Sequence, residues 1–313
     1  MARYCFGIDV GGTTVKCGLF TADGTPVEKW EIPTRTENAG ENVLPDIAQT
    51  ILREMEERGI GKSEVAGIGI GIPGPVRDGV AFVAVNLHWD ETDVAGILGG
   101  LTRLPVMVGN DANVAALGEL WKGGAEGRKN AIVVTLGTGV GGGIIVEGKL
   151  IEGAHGAGGE IGHFPVDRDM TEPCNCGNCG CLEQFASATG ITRLAREELM
   201  KKPKSEKTVL ADDGTLSSKA VFDAYKTGDP AAVRIVNRFA EYLGTALAGI
   251  AVVSDPEVIV IGGGVSKAVE PLVEVVTRYY RAHAFSACKN TPIVLARLGN
   301  DAGMYGSARL VLG

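Results

Sequence analysis

Hydrophobic positions along the chain fall into short unbroken runs and longer spaced stripes. Residues 4–10 form a nearly continuous apolar run, closed by Gly11-Gly12-Thr13-Thr14 and resumed over 15–20. The opening therefore predicts a strand, a Gly/Thr turn and a second strand, with another turn at Ala22-Asp23-Gly24. Residues 41–58 place apolar side chains at helical spacing and predict an amphipathic helix. An apolar strand over 65–72 ends in the sharp turn Pro73-Gly74-Pro75. The stretch 83–89 contains Asn86, which the pattern leaves as either a pocket residue or a loop cap. A strand over 104–109 leads into Asn110-Asp111-Ala112-Asn113 and a helix to about 121. Residues 130–136 repeat the opening: a strand, a Gly/Thr-rich turn over 137–143, then a strand over 144–146. Residues 184–255 predict mostly helix, with starts at Ser217 and at Asp229-Pro230. Strands over 257–261 and 292–298 close the series. The first ends in Gly262-Gly263-Gly264, the second in Asn300-Asp301-Ala302 at the head of the last helix, which is expected to pack back on the first domain.

With 45% hydrophobic residues over 313 positions, the chain can fill the cores of two domains. A net charge of -8 argues against a broad surface for nucleic acid. No apolar run is long enough to span a bilayer, and the first strand follows Met1 with no basic leader or cleavage site. The expected setting is the cytoplasm, where clustered cysteines read as metal or thiol chemistry ahead of disulfides.

The densest chemistry lies in residues 154–183, AHGAGGEIGHFPVDRDMTEPCNCGNCGCLE. Cys174, Cys176, Cys179 and Cys181 fall within eight residues, preceded by His163 and flanked by Glu160 and Glu183. Thiolates and an imidazole suit tetrahedral zinc, with disulfides or free thiols as the alternatives. Five candidate ligands compete for four places. Cys179, in the middle of the knuckle, is left out in favour of His163, Cys174, Cys176 and Cys181. A structural ion there would also hold Glu160, His163 and Glu183 together as one wall of a binding site.

The first Gly/Thr turn could cradle phosphates with backbone N–H groups and hydroxyls, and Asp9 could hold a hydrated Mg²⁺. Alone it could equally be an ordinary hairpin, but the second turn repeats it, and two such hairpins would grip a polyphosphate. The glycines at 262–264 could admit adenine or ribose, or simply allow close packing. Asp111 stands where a strand ends and a helix begins, as either part of a helix cap with Asn110 or a general base. Asn300-Asp301-Ala302 echoes it, so the residues offer two candidate bases.

Taken together, the chain resembles the ROK-family sugar kinases, and among them the bacterial glucokinases. The resemblance rests on DVGGTTVK, GIPGPV, NDANVAALGE, LGTGVGGG, GGEIGH, CNCGNCGCLE and IGGGVS, in this order over nearly the whole chain. It implies an α/β protein of the actin/hexokinase-like (ribonuclease H-like) ATPase fold, with two α/β domains around a cleft. A smaller domain would comprise 1–112 plus 299–313, and a larger one, 113–298, would carry the zinc knuckle. The implied reaction is transfer of phosphate from ATP, with Mg²⁺, to the 6-hydroxyl of a hexose, glucose foremost. Asp111 is implied as catalytic base and Asn110 as its sugar-binding neighbour. Glu160, His163 and Glu183 match sugar-hydroxyl contacts, and His163, Cys174, Cys176 and Cys181 match ligands of a structural Zn²⁺. Asp9, Gly11, Gly12, Thr13, Thr14, Lys16, Thr138, Gly139, Gly263 and Gly264 fall to the nucleotide. Asp301 matches no catalytic position, which decides between the two candidate bases. The resemblance also suggests a homodimer or larger homo-oligomer. The rival readings are a kinase for N-acetylmannosamine, fructose or another hexose, a sugar-sensing ROK transcriptional regulator, and an actin-like ATPase without a sugar substrate. The regulators carry a helix-turn-helix domain ahead of the first phosphate turn, which counts against that reading.

Overall fold

A computed structural model describes residues 2–266 and 271–313. In chain order the elements begin β1 (Tyr4–Val10), β2 (Thr14–Thr21), β3 (Pro26–Pro33), α1 (Glu37–Gly40), α2 (Val43–Glu57) and β4 (Val65–Ile72). Three two-residue strands, β5 (Val76–Arg77), β6 (Val80–Ala81) and β7 (Thr92–Asp93), precede α3 (Val94–Thr102), β8 (Val106–Asn110) and α4 (Asp111–Lys122). Then come β9 (Ala131–Leu136), β10 (Val140–Val146), β11 (Lys149–Leu150), α5 (Glu183–Ala186), α6 (Ala188–Lys201), α7 (Ser218–Lys226) and α8 (Pro230–Ser254). The chain closes with β12 (Val258–Gly262), α9 (Pro271–His283), β13 (Ile293–Leu295) and α10 (Ala302–Leu312).

Contacts divide the chain into two compact units: Met1–Gly127, Lys149–Gly159 and Leu298–Gly313 in the first, Arg128–Gly148 and Glu160–Arg297 in the second. The first contains a sheet in the order β3-β2-β1-β4-β8. Its β1, β2 and β3 are antiparallel neighbours, while β4 runs parallel to β1 and to β8. The alternation in β4, VAGIGIGI, explains how this sheet is covered on both faces. Ile68, Ile70 and Ile72 point into a core with Phe6, Ile8, Ile47, Ile51 and Leu98. The glycines point the other way, where α10 lies so close that a Cβ on Gly69 would sit 1.6 Å from the Ser307 carbonyl oxygen. Gly69 and Gly71 thus serve helix-to-sheet approach. As expected, the end of the chain packs on this unit, with α10 against α4, β1 and β4. That packing places all of α4 in the first unit, where the division implied by the resemblance put all but Asp111 and Ala112 in the second.

The second unit repeats the connectivity. An antiparallel hairpin of β9 and β10 is extended by parallel β12 and β13. Its core joins Ile132, Val134, Ile259 and Ile261 of the sheet to α6, α7, α8 and α9. Ser187, Ser217 and Asp229 cap α6, α7 and α8 through their side chains, satisfying first-turn N–H groups. Two expectations change. The glycines at 141–143 lie within β10, so the turn shrinks to 137–139. And β3 was not foreseen, because PVEKWEIP is exposed over its first four residues and alternates only at Trp30 and Ile32, too short a pattern to stand out.

Candidate active site

The first unit carries one set of candidate residues. Gly11 N–H donates to the Thr14 carbonyl at 3.0 Å, while Thr34 donates through its hydroxyl to Gly11 O at 2.7 Å and through its N–H to Thr13 O at 2.9 Å. The turn is therefore fixed from the end of β3. Asn86 packs against it, since a Cβ on Gly12 would lie 3.3 Å from the Asn86 Cβ. Asp9 sits one residue from the end of β1, half-buried, against the first turn of α10. A Cβ on Gly303 would come within 2.5 Å of its carboxyl carbon. Desolvation raises the Asp9 pKa, and Lys16, its cross-strand neighbour on β2, opposes the shift. Lys16 Nζ donates to Asn300 O at 2.9 Å.

At the end of β8 the capping question is answered by geometry. Asn110 is the N-cap of α4, its Oδ1 accepting from Asn113 N–H at 3.1 Å while its Nδ2 donates to Gly74 O at 3.1 Å. Asp111 is the first helical residue, and its Oδ1 accepts from Ala112 N–H at 2.8 Å. Asp301 makes no cap and pairs instead with Lys29 at 2.7 Å.

The second set lies in the second unit. Gly137 N–H donates to Gly139 O at 3.0 Å, and the turn is tied to the N-terminus of α6 by Ala188 N–H to Gly137 O and by the Thr189 hydroxyl to Thr138 O. Gly139 faces Glu183, whose Oε2 would lie 2.7 Å from a Cβ at that position. Glu183 Oε1 accepts from Cys174 Sγ at 2.9 Å and lies 4.0 Å from His163 Nδ1, while His163 Nε2 lies 3.9 Å from Glu160 Oε2. The structure thus brings Glu160, His163 and Glu183 together beside Thr138 and Gly139. A cavity of about 280 Å³ opens there, lined by Thr138, Gly139, Asn175, Glu183, Thr189 and Arg193 among others.

One ligand atom from each of His163, Cys174, Cys176 and Cys181 lies within 4.8 Å of all the others. Cys174 Sγ is 3.7 Å from His163 Nδ1, and Cys176 Sγ is 3.6 Å from Cys181 Sγ. A tetrahedral zinc site with ordinary bond lengths has edges of about 3.5 to 3.8 Å, so the donor set fits that ion. Cys179 turns away, its Sγ 3.5 Å from Thr171 O. Burial raises the Cys174 and Cys181 pKa values, while the Asn178 backbone N–H lowers that of Cys176.

Sequence reasoning missed the residues behind the knuckle. Gln184 accepts from Cys181 N–H and donates to Glu172 O, and Arg193 donates twice to Gln184 O while stacking over Phe185. Both fall in a helical stretch whose periodicity reports burial but not chemistry. The glycines at 263 and 264 part company. Gly263, at φ 88, packs so tightly that a Cβ would lie 2.4 Å from Leu136 O, whereas a Cβ on Gly264 would meet open space. Close packing alone therefore requires a glycine at 263, beside the open space at 264.

The comparisons with known proteins agree in direction. The ROK family model matches residues 5–313. A glucokinase of Halalkalibacterium halodurans is 43% identical over 313 residues, covering 99% of this chain and 95% of that protein. The crystal structure of a ROK hexokinase from Thermus thermophilus superposes with a TM-score of 0.82 at 32% identity, covering 98% of this chain and 97% of that one. A ROK-family glucokinase from Streptomyces griseus, in complex with glucose and AMPPNP, gives a TM-score of 0.76 at 32% identity, with 98% of each chain covered.

Proposed function

This chain belongs to the ROK family, and on that premise we propose that it is an ATP-dependent hexokinase of the glucokinase type, converting glucose to glucose 6-phosphate. The observation that carries the reading is the 43% identity to a glucokinase along nearly the full length of both chains. The actin/hexokinase-like ATPase fold of the family supports it. Phosphoryl transfer passes through a loose transition state, so the protein's work is mainly positioning and charge compensation. In this reading Asp111 accepts the proton of the attacking 6-hydroxyl. Asn110 already spends one N–H on Gly74 O and one lone pair on Asn113 N–H, which fixes its amide and leaves one donor and one acceptor for the sugar. Glu160, His163 and Glu183 take further hydroxyls. Backbone N–H groups and hydroxyls at 11–14 and at 138–139, with Lys16, Gly263 and Gly264, hold the nucleotide. Asp9 is the residue that would hold a hydrated Mg²⁺, which would supply charge neutralisation on the phosphates.

His163, Cys174, Cys176 and Cys181 would hold the zinc, which would supply rigidity. With its ring held there, His163 would keep its Nε2 side toward Glu160, 3.9 Å away, and the sugar. The cytoplasm and a homo-oligomeric state complete the reading, on the strength of the family resemblance. An ADP-release assay with MgATP tests it against glucose, N-acetylmannosamine, fructose, mannose and allose. Fastest turnover on glucose supports the proposal, and fastest turnover on another sugar moves the substrate. No turnover on any, with zinc content verified, overturns the function.

A further inference from the structure

Asn113 lies in the first turn of α4, two residues after Asp111, and only 5% of it is exposed. Its side chain points away from the cap. Nδ2 donates to Gly158 O over a long 3.4 Å, while Oδ1 is sealed from solvent and meets no donor among the described residues. Gly158 belongs to the strap IEGAHGAGG, residues 151–159, which has no helix or strand of its own. Backbone shapes the strap at its other points. Gly158 N–H donates to Glu152 O at 2.8 Å, and Gly156, at φ 70, lies where a Cβ would come 2.9 Å from Val76 O. Asn113 adds a side-chain bond from α4, at the residue two before Glu160.

A buried amide with an unsatisfied acceptor is a costly way to pack a helix against a loop, because a smaller apolar residue would leave no polar atom stranded. What the amide adds is a directed donor at one carbonyl. We propose that Asn113 is a positioning residue for the hexose: its amide latches the 151–159 strap to the first turn of the helix that carries Asp111, so that the chain enters Glu160 in one conformation. The proposal rests on the reading of Glu160 as a sugar contact given above. Asn113 itself does not touch the sugar. Freed from the latch, the strap samples several conformations and hexose binding weakens, while MgATP binding does not.

Two variants test this in the full-length, zinc-loaded protein. Asn113→Ala removes the amide, and Asn113→Leu keeps its approximate size but carries neither the acceptor nor the donor to Gly158 O. Both should raise KM for glucose at least about tenfold, with kcat and KM for MgATP within about threefold of wild type. Backbone amides over 152–160 should exchange with solvent at least about tenfold faster, with Tm within a few degrees of wild type. Unchanged exchange over 152–160 in Asn113→Leu would overturn the latch. So would a fall in Tm with kcat and both KM values worsening together, since that marks a purely structural residue. If wild type phosphorylates no hexose, the functional reading fails, and the exchange measurement still decides the latch.

Discussion

Asn-Asp-Ala heads a helix twice in the first unit, at 110–112 and at 300–302, and the two helices, α4 and α10, pack against each other. The residues are identical but their tasks are not. Asn110 has an extended backbone (φ -66, ψ 144), the conformation in which a side-chain oxygen can reach back to the helix N–H groups. It takes the cap, and Asp111 begins the helix. At the second copy the preceding turn is 3₁₀, Asp301 is already helical (φ -93, ψ -9), and its carboxylate leans out to Lys29. Asn300 contributes its carbonyl to Lys16. The fourth position differs as well: Asn113 makes a latch, whereas Gly303 makes room for Asp9. A motif's residues thus do not set its role; the backbone that delivers them does.

The sharpest way to break this comparison is to remove the carboxylate at Asp111. Asp111→Asn should lower kcat about 10²- to 10⁴-fold, the range for a lost general base, with KM for glucose changed far less. Near-wild-type turnover would leave Asp111 as no more than the first residue of a helix.

The four clustered cysteines offer the same lesson at closer range. Cys176 and Cys179 are three residues apart and both exposed, yet Cys176 Sγ joins the His163, Cys174 and Cys181 group while Cys179 points to Thr171 O. Cys176→Ser should weaken zinc binding by about 100-fold or more, since even loss of a residue that merely supports a ligand costs 10- to 100-fold. Glucose affinity should fall with it. Cys179→Ser should keep both, and equal metal loss in the two variants, read by elemental analysis, would refute the ligand set.

These contrasts mark what the chain discloses before it folds. The repeated hairpin and the parallel strands were legible, because runs such as VAGIGIGI and AIVVTL are apolar enough to be buried and too short for helices. The knuckle was legible from four cysteines in eight residues. The strand β3 was not, because an edge strand exposed over its first half carries only the brief alternation of Trp30 and Ile32. Neither were Gln184, Arg193 and Asn113. Their contributions are hydrogen bonds to carbonyl oxygens distant in sequence or fixed by loop geometry, and no local spacing encodes such partners. Glycines are the hardest residues to read from sequence, since close backbone packing, as at Gly69 and Gly263, leaves the same signature as a ligand would.

The two hairpins can be set against each other in the same way. By register, Asp9 of β1 occupies the place that Thr135 holds in β9, so the first turn is preceded by a half-buried carboxylate and the second by a hydroxyl. Burial raises the Asp9 pKa, with Lys16 opposing. The unfolded chain therefore loses this proton at lower pH than the folded one. Stability is lost as pH rises from the ordinary carboxylate value, about 3.9, through the raised folded value, and it stays lower above it. In chelated, nucleotide-free protein, Asp9→Asn should match wild type in Tm at the acid end and exceed it at neutral pH. A variant that is less stable than wild type at pH 7 would contradict the assignment. MgATP turnover should meanwhile fall, because the carboxylate would be needed by the metal.

The smallest effect is expected at the second Asn-Asp-Ala, and it is the control on which the first depends. Asp301 and Lys29 are 40% and 36% exposed, so their 2.7 Å pair is screened by solvent and exchangeable for water. Lys29 Nζ also lies 5.2 Å from the Tyr305 ring centroid, which gives the cation a second neighbour once Asp301 is gone. Asp301→Asn should therefore cost less than about 1 kcal/mol, the range of exposed ion pairs. Its kcat/KM for glucose should stay within about twofold of wild type, a change too small to reflect lost transition-state contact. A drop approaching that of Asp111→Asn would mean that the backbone conformation at 300–302 does not separate the two copies, and that the carboxylate at the head of α10 shares in the chemistry.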